Sequence, residues 1–124
     1  MELVWVGIGG GIGAIARYAM GKGITERANS LFPYGTFTVN LLGAFLIGVL
    51  FALLVERGVG HPHLRLLLIT GFLGGFTTFS AYTIEAITLI EAGSWNTALL
   101  YVMASNLLGL LACLAGIVAI RTMM

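Results

Sequence analysis

The stretch TGFLGGFTTFSAY, Thr70 to Tyr82, concentrates the chemistry of this sequence: three glycines, four Ser/Thr hydroxyls and four aromatic rings in an otherwise apolar run. Each glycine weakens a helix interior by about 1 kcal/mol relative to alanine. Gly74 and Gly75 are adjacent, and the hydroxyls of Thr77 and Thr78 follow to replace main-chain partners. The composition predicts an interruption near residues 74 to 78 between two half-helices. The first half-helix then ends in free carbonyls, which are cation ligands, and the second begins with free amides and a positive dipole end, which favour an anion. Carbonyls of two copies could surround one alkali ion such as Na⁺, since a divalent ion would call for carboxylates and none is near. Beyond the interruption Phe79 and Tyr82 share a face, with Phe76 on the other side of Phe79. An aromatic edge is electropositive, so rings presented edge-on can meet an anion without formal charge, although core packing accounts for the same spacing. The hydroxyls of Thr78, Ser80 and Thr83 beside these rings favour the polar role.

Other polar groups fall at depth. Asn40 offers an amide that can donate to an anion or bond to a neighbouring helix. Tyr101, Ser105 and Gly109 recur every four residues, two donors and a gap on one stripe, with Asn106 alongside. A charged Glu85 at mid-membrane would cost roughly 2.5–3.5 kcal/mol, so it needs a site near the interface, a bond to Tyr82 or a threonine, or a proton. Arg17 ends the first apolar run and can snorkel to water or draw anions to a pore mouth. His61 and His63 form HPH in a loop and read as solvated. No Ser-His-Asp set, carboxylate pair or phosphate-binding loop can be assembled, so an enzyme is not expected. The partial fingerprint at Gly11 to Ala16 follows no strand and carries no dinucleotide reading.

These groups must be held by membrane helices. Of the 124 residues, 59% are hydrophobic and 9% charged, against about 25% charged in a soluble domain. The net charge of +1 leaves no nucleic-acid footprint. A span needs about 20 apolar residues, and four segments qualify: about 3–20, 36–55, 66–90 and 98–120. All four are read as helices of one membrane domain, because a segment in lipid must satisfy its own main chain. GKGITERANSLFPYG, ERGVGHPHLR and EAGSWN are read as loops. No Lys or Arg precedes the first run, so it is read as a retained helix rather than a cleaved signal. Cys113 lies in an apolar run and reads as an inert thiol. Gly7 with Gly11 and Gly9 with Gly13 have the spacing of close helix packing.

Orientation follows Lys and Arg in short loops. Arg57, Arg65 and Arg121 fall on one side and Arg17, Lys22 and Arg27 on the other, three against three. A weak bias that escapes counting accounts for this. So does insertion in both directions, with pairing into an antiparallel homodimer whose two-fold axis lies in the membrane plane. The chain contains no internal repeat that would supply such symmetry by itself.

The sequence resembles the small bacterial fluoride channels called Fluc or CrcB. TGFLGGFTTFS is similar to their third-span signature, GTFTVNLLG at Gly35 to Gly43 to their second, and GIGAIARY at Gly11 to Tyr18 to their first. The resemblance covers nearly the whole chain. It implies an all-α, four-span, antiparallel dual-topology homodimer in the bacterial cytoplasmic membrane, with two anion pores and one central structural Na⁺. Gly74 and Thr77 would give carbonyls to that ion. Asn40, Phe79, Ser80, Tyr101 and Ser105 would line the pores, with Thr78 and Glu85 as further positions and Arg17 near a vestibule. Two departures stand out: Tyr82 where many members have a second Phe, and Gly109 at a common hydroxyl position. The expected function is passive fluoride efflux. The rivals are a proton-coupled dual-topology exporter, a fluoride/proton exchanger, and a non-transporting assembly subunit.

Overall fold

The computed structural model describes residues 1–123. It is all-helical among the described residues. Helix α1 (Glu2–Ala28) is followed by α2 (Tyr34–Glu56), whose last turns, Phe51–Glu56, are π-helical. Helix α3 (residues 62–76) contains a second π-helical stretch, Leu66–Leu73. Helix α4 (Phe79–Glu91) and α5 (Trp95–Met123) complete the chain. The segments Glu2–Ala28, Tyr34–Glu56, Pro62–Glu91 and Trp95–Met123 are each long and apolar enough to cross a bilayer. Leu3, Ile15, Phe79, Leu110 and other large apolar side chains are exposed, a surface suited to hydrocarbon rather than water. The chain is a multi-pass membrane protein.

The helices overrun the expected bounds at both ends. The largest difference is α1, which continues through Gly21–Ala28, a stretch read from sequence as loop. Nothing in GKGITERA stops a helix until Asn29, which adopts the left-handed conformation at φ 43° and returns its N–H to the Thr25 carbonyl at 3.0 Å. Arg17 therefore lies inside α1 rather than at the end of a span.

Helix α1 packs on α3 and α2, α2 on α5, and α4 on α5. Glycine sets the first of these contacts. A Cβ at Gly13 would run into the Phe72 carbonyl, and one at Gly9 into the Leu67 carbonyl. Gly7 and Gly11 face open space, so only one of the two four-residue spacings forms the contact. The apolar core is thin and lies in two places. Val39, Leu73 and Phe76 join α2 to α3, while Ala86, Leu89, Ala98 and Tyr101 join α4 to α5.

Candidate functional site

Helix α3 ends at Phe76, and α4 begins at Phe79. Between them Thr77 (φ −87°, ψ 155°) and Thr78 (φ −146°, ψ 115°) are extended. Their hydrogen bonds explain how the chain tolerates this. Thr77 gives both its N–H (3.0 Å) and its hydroxyl (2.9 Å) to the Leu73 carbonyl. Thr78 then caps α4, its Oγ1 accepting from the Ala81 N–H at 3.1 Å. Asn40, across on α2, meets the Thr78 main chain with both ends of its amide: Oδ1 accepts from the Thr78 N–H at 2.8 Å, and Nδ2 donates to the Thr78 carbonyl at 3.1 Å.

This pairing has a consequence for the carbonyls. In an unbroken helix the N–H of residue i bonds to the carbonyl of residue i−4. The Thr78 N–H would then hold the Gly74 carbonyl and the Ala81 N–H the Thr77 carbonyl. Both donors go to side chains instead, Asn40 and Thr78. Gly74 and Thr77 are thus released together, and both line an open concavity of about 410 Å³ with Asn40, Gly43, Thr78 and Phe79. Among the described residues no carboxylate borders it. The Gly75 carbonyl meets a cation instead: Arg17 Nε donates to it at 3.1 Å, a guanidinium at the negative end of α3. Arg17 also lines a second depression of about 180 Å³ with Tyr18, Lys22, Thr36 and Thr78, so Thr78 borders both.

The ring-bearing residues follow on α4. Phe79 is 76% exposed. Its ring lies 5.6 Å from that of Tyr82, and the Tyr82 ring lies 5.3 Å from that of Tyr101. Ser80 is exposed and its hydroxyl is 3.2 Å from that of Thr78. Tyr101 is fully buried, and its hydroxyl donates to Glu85 Oε1 at 2.9 Å. Thr36 donates to the other oxygen, Oε2, also at 2.9 Å. One carboxylate thereby ties α2, α4 and α5. Glu85 takes the hydroxyl-partner option among the three open from sequence. Ser105 is half-buried on α5, and its hydroxyl has no protein partner among the described residues.

The expected site residues therefore fall into two groups. Gly74, Thr77, Thr78, Asn40 and Phe79 border the larger concavity; Tyr82, Glu85 and Tyr101 form a connected set beside it. Arg17 joins the first group through Gly75. Sequence reasoning missed Thr36 as a partner of Glu85. Nothing in the sequence spacing marks that pairing, which joins residues 49 apart.

His61 and His63 lie apart from this region. His61 Nδ1 caps the start of α3 by accepting from the His63 N–H at 3.1 Å, and the His63 ring stacks on Trp5 at 5.3 Å. No group of three potential metal-ligating side chains exists among the described residues.

The sequence model of a family described as "CrcB-like protein, Camphor Resistance (CrcB)" matches residues 4–117. The chain belongs to the CrcB family. Among CrcB relatives, a protein of Magnetococcus marinus is 43% identical over 98% of both chains, and one of Rhizobium meliloti is 43% identical over the same shares. A protein of Hahella chejuensis is 42% identical over 97% of this chain and 94% of its own. All three bear the name fluoride-specific ion channel FluC. The CrcB match includes the extended pair Thr77–Thr78 and every residue of both depressions.

Proposed function

We propose that this chain is a fluoride-selective channel giving passive efflux of fluoride across the bacterial cytoplasmic membrane. We further propose that it works as an antiparallel, dual-topology homodimer with two pores, the extended Thr77–Thr78 pair being the break of the third membrane-crossing helix. The observation that carries the reading is the 43% identity over nearly the full chain to relatives named fluoride-specific ion channels. The chemistry supports it. Fluoride is small and strongly hydrated, so its path must return hydrogen bonds. One proton of the paired Ser80 and Thr78 hydroxyls, the Ser105 hydroxyl and the second amide proton of Asn40 are the donors on offer, beside the edges of Phe79 and Tyr82. Tyr101 gives its proton to Glu85, so in this reading it lines the path as a held part of the wall.

The donor set also fits the implied central Na⁺. Gly74 and Thr77 carbonyls are released from helical pairing, lie in one concavity and have no carboxylate beside them, the all-oxygen and uncharged set that suits a monovalent ion. Two copies would supply four such carbonyls, and the ion would tie the copies together. Arg17 meets the neighbouring Gly75 carbonyl, so that end of the helix dipole has a cation of its own.

Glu85 favours the channel over the proton-coupled readings. Both its oxygens already accept hydroxyl protons from two other helices, an anchoring arrangement rather than one open to proton exchange. A pH-gradient test separates the readings. Fluoride efflux from proteoliposomes should depend on membrane potential and be indifferent to an imposed proton gradient. Efflux driven by the proton gradient would establish an exchanger, and absence of efflux a non-transporting subunit. Labelling of each terminus in whole cells and in inverted vesicles should find both sides; one labelled side would remove the antiparallel dimer.

A further inference from the structure

The hydroxyl of Tyr82 is the group on this face with the least ordinary bonding. Asn106 Nδ2 donates to the Val102 carbonyl at 2.8 Å and to Tyr82 Oη at 2.9 Å. The Val102 carbonyl can only accept, so it is the nitrogen of the Asn106 amide that faces it, and the second proton on that nitrogen is the one that reaches Tyr82. The phenol oxygen is therefore an acceptor here and keeps its own proton to give. Among the described residues no acceptor takes that proton. The ring that carries it lies between Phe79 and Tyr101, tilted 44° to the first and 57° to the second.

We propose that Asn106 is a positioning residue: by holding the Tyr82 oxygen from one side, it makes Tyr82 a directed O–H donor to the anion passing its ring. This deepens the fluoride-channel reading and rests on it. The hydroxyl, added where a plain phenyl would offer only a ring edge, is then a specificity determinant of this chain. Without Asn106 the hydroxyl turns freely and presents its lone pairs, which repel an anion, as readily as its proton.

A double-mutant cycle tests this, read by fluoride efflux from proteoliposomes and by the fluoride-to-chloride permeability ratio. Asn106→Leu keeps the branched outline and cannot donate. In the otherwise unchanged chain it should lower fluoride efflux by ~fivefold, the effect of one misdirected hydrogen bond, and lower the permeability ratio with it. In the Tyr82→Phe background the same substitution should change neither quantity, because the hydroxyl it positions is gone. An equal loss in both backgrounds, or none in either, overturns the proposal. A loss of efflux with an unmoved permeability ratio also overturns it, since that is the mark of a merely structural role. Asn106 is exposed, and Asn106→Ala carries the same expectations should the leucine variant not assemble like the parent. A parent that passes no fluoride overturns the channel reading itself, whereas a conducting parent with a failed cycle removes only the role of Asn106.

Discussion

The Asn40 side chain closes both main-chain hydrogen bonds of Thr78, accepting from its N–H at 2.8 Å and donating to its carbonyl at 3.1 Å. An amide here does for the start of α4 what a neighbouring strand does in a sheet: it gives the extended main chain of Thr78 both a donor and an acceptor.

Replacing that amide tests its role. Asn40→Leu keeps the branched outline but leaves the Thr78 N–H and carbonyl without partners. A stranded polar group costs about 1–3 kcal/mol. The variant should unfold in detergent at a lower temperature than the parent and pass no fluoride. An Asn40→Leu protein with the parent's unfolding temperature would show that Thr78 is held by something else.

Phe79→Ile separates function from stability. The ring is 76% exposed, so its loss should leave stability within about 0.5 kcal/mol, as for surface substitutions generally. The electropositive edge disappears, and fluoride efflux should fall sharply. Efflux equal to the parent's would end the aromatic role.

The Glu85 tie predicts coupling between residues remote in sequence. Tyr101→Phe and Thr36→Val each remove one donor to the carboxylate. Each should cost about 1–2 kcal/mol, and the pair should depart from additivity by more than about 0.5 kcal/mol when unfolding is followed by chemical denaturation. Strict additivity would mean the two bonds do not share one anchored group.

Two glycines on α1 should respond oppositely. Gly13→Ala places a Cβ against the Phe72 carbonyl, which is main chain and cannot step aside. The resulting displacement should cost about 1–3 kcal/mol. Gly11→Ala meets open space and gains up to about 1 kcal/mol of helix propensity. Thermal unfolding of the two variants should move in opposite directions.

Local features of the site were legible where composition is local. The glycines and threonines of residues 74 to 78 lie next to the extended pair Thr77–Thr78, because local conformation is decided by the residues at that point of the chain. The ring spacing of Phe79 and Tyr82 was legible for the same reason. Contacts between distant segments were not. Nothing in the spacing of Thr36, Glu85 and Tyr101 says that one carboxylate gathers hydroxyls from two other helices, and nothing near Arg17 names Gly75. The run GKGITERA looked like a loop because it is polar, yet polarity does not end a helix; the left-handed turn at Asn29 does. The two glycine spacings on α1 were indistinguishable in sequence, since only the neighbouring helix decides which is covered.

The most direct test of the central claim is fluoride release from liposomes carrying the purified protein, followed with a fluoride electrode while valinomycin balances the charge. The account predicts rapid release of fluoride and retention of chloride under the same conditions. Release of chloride at a comparable rate, or no release of either, would contradict it.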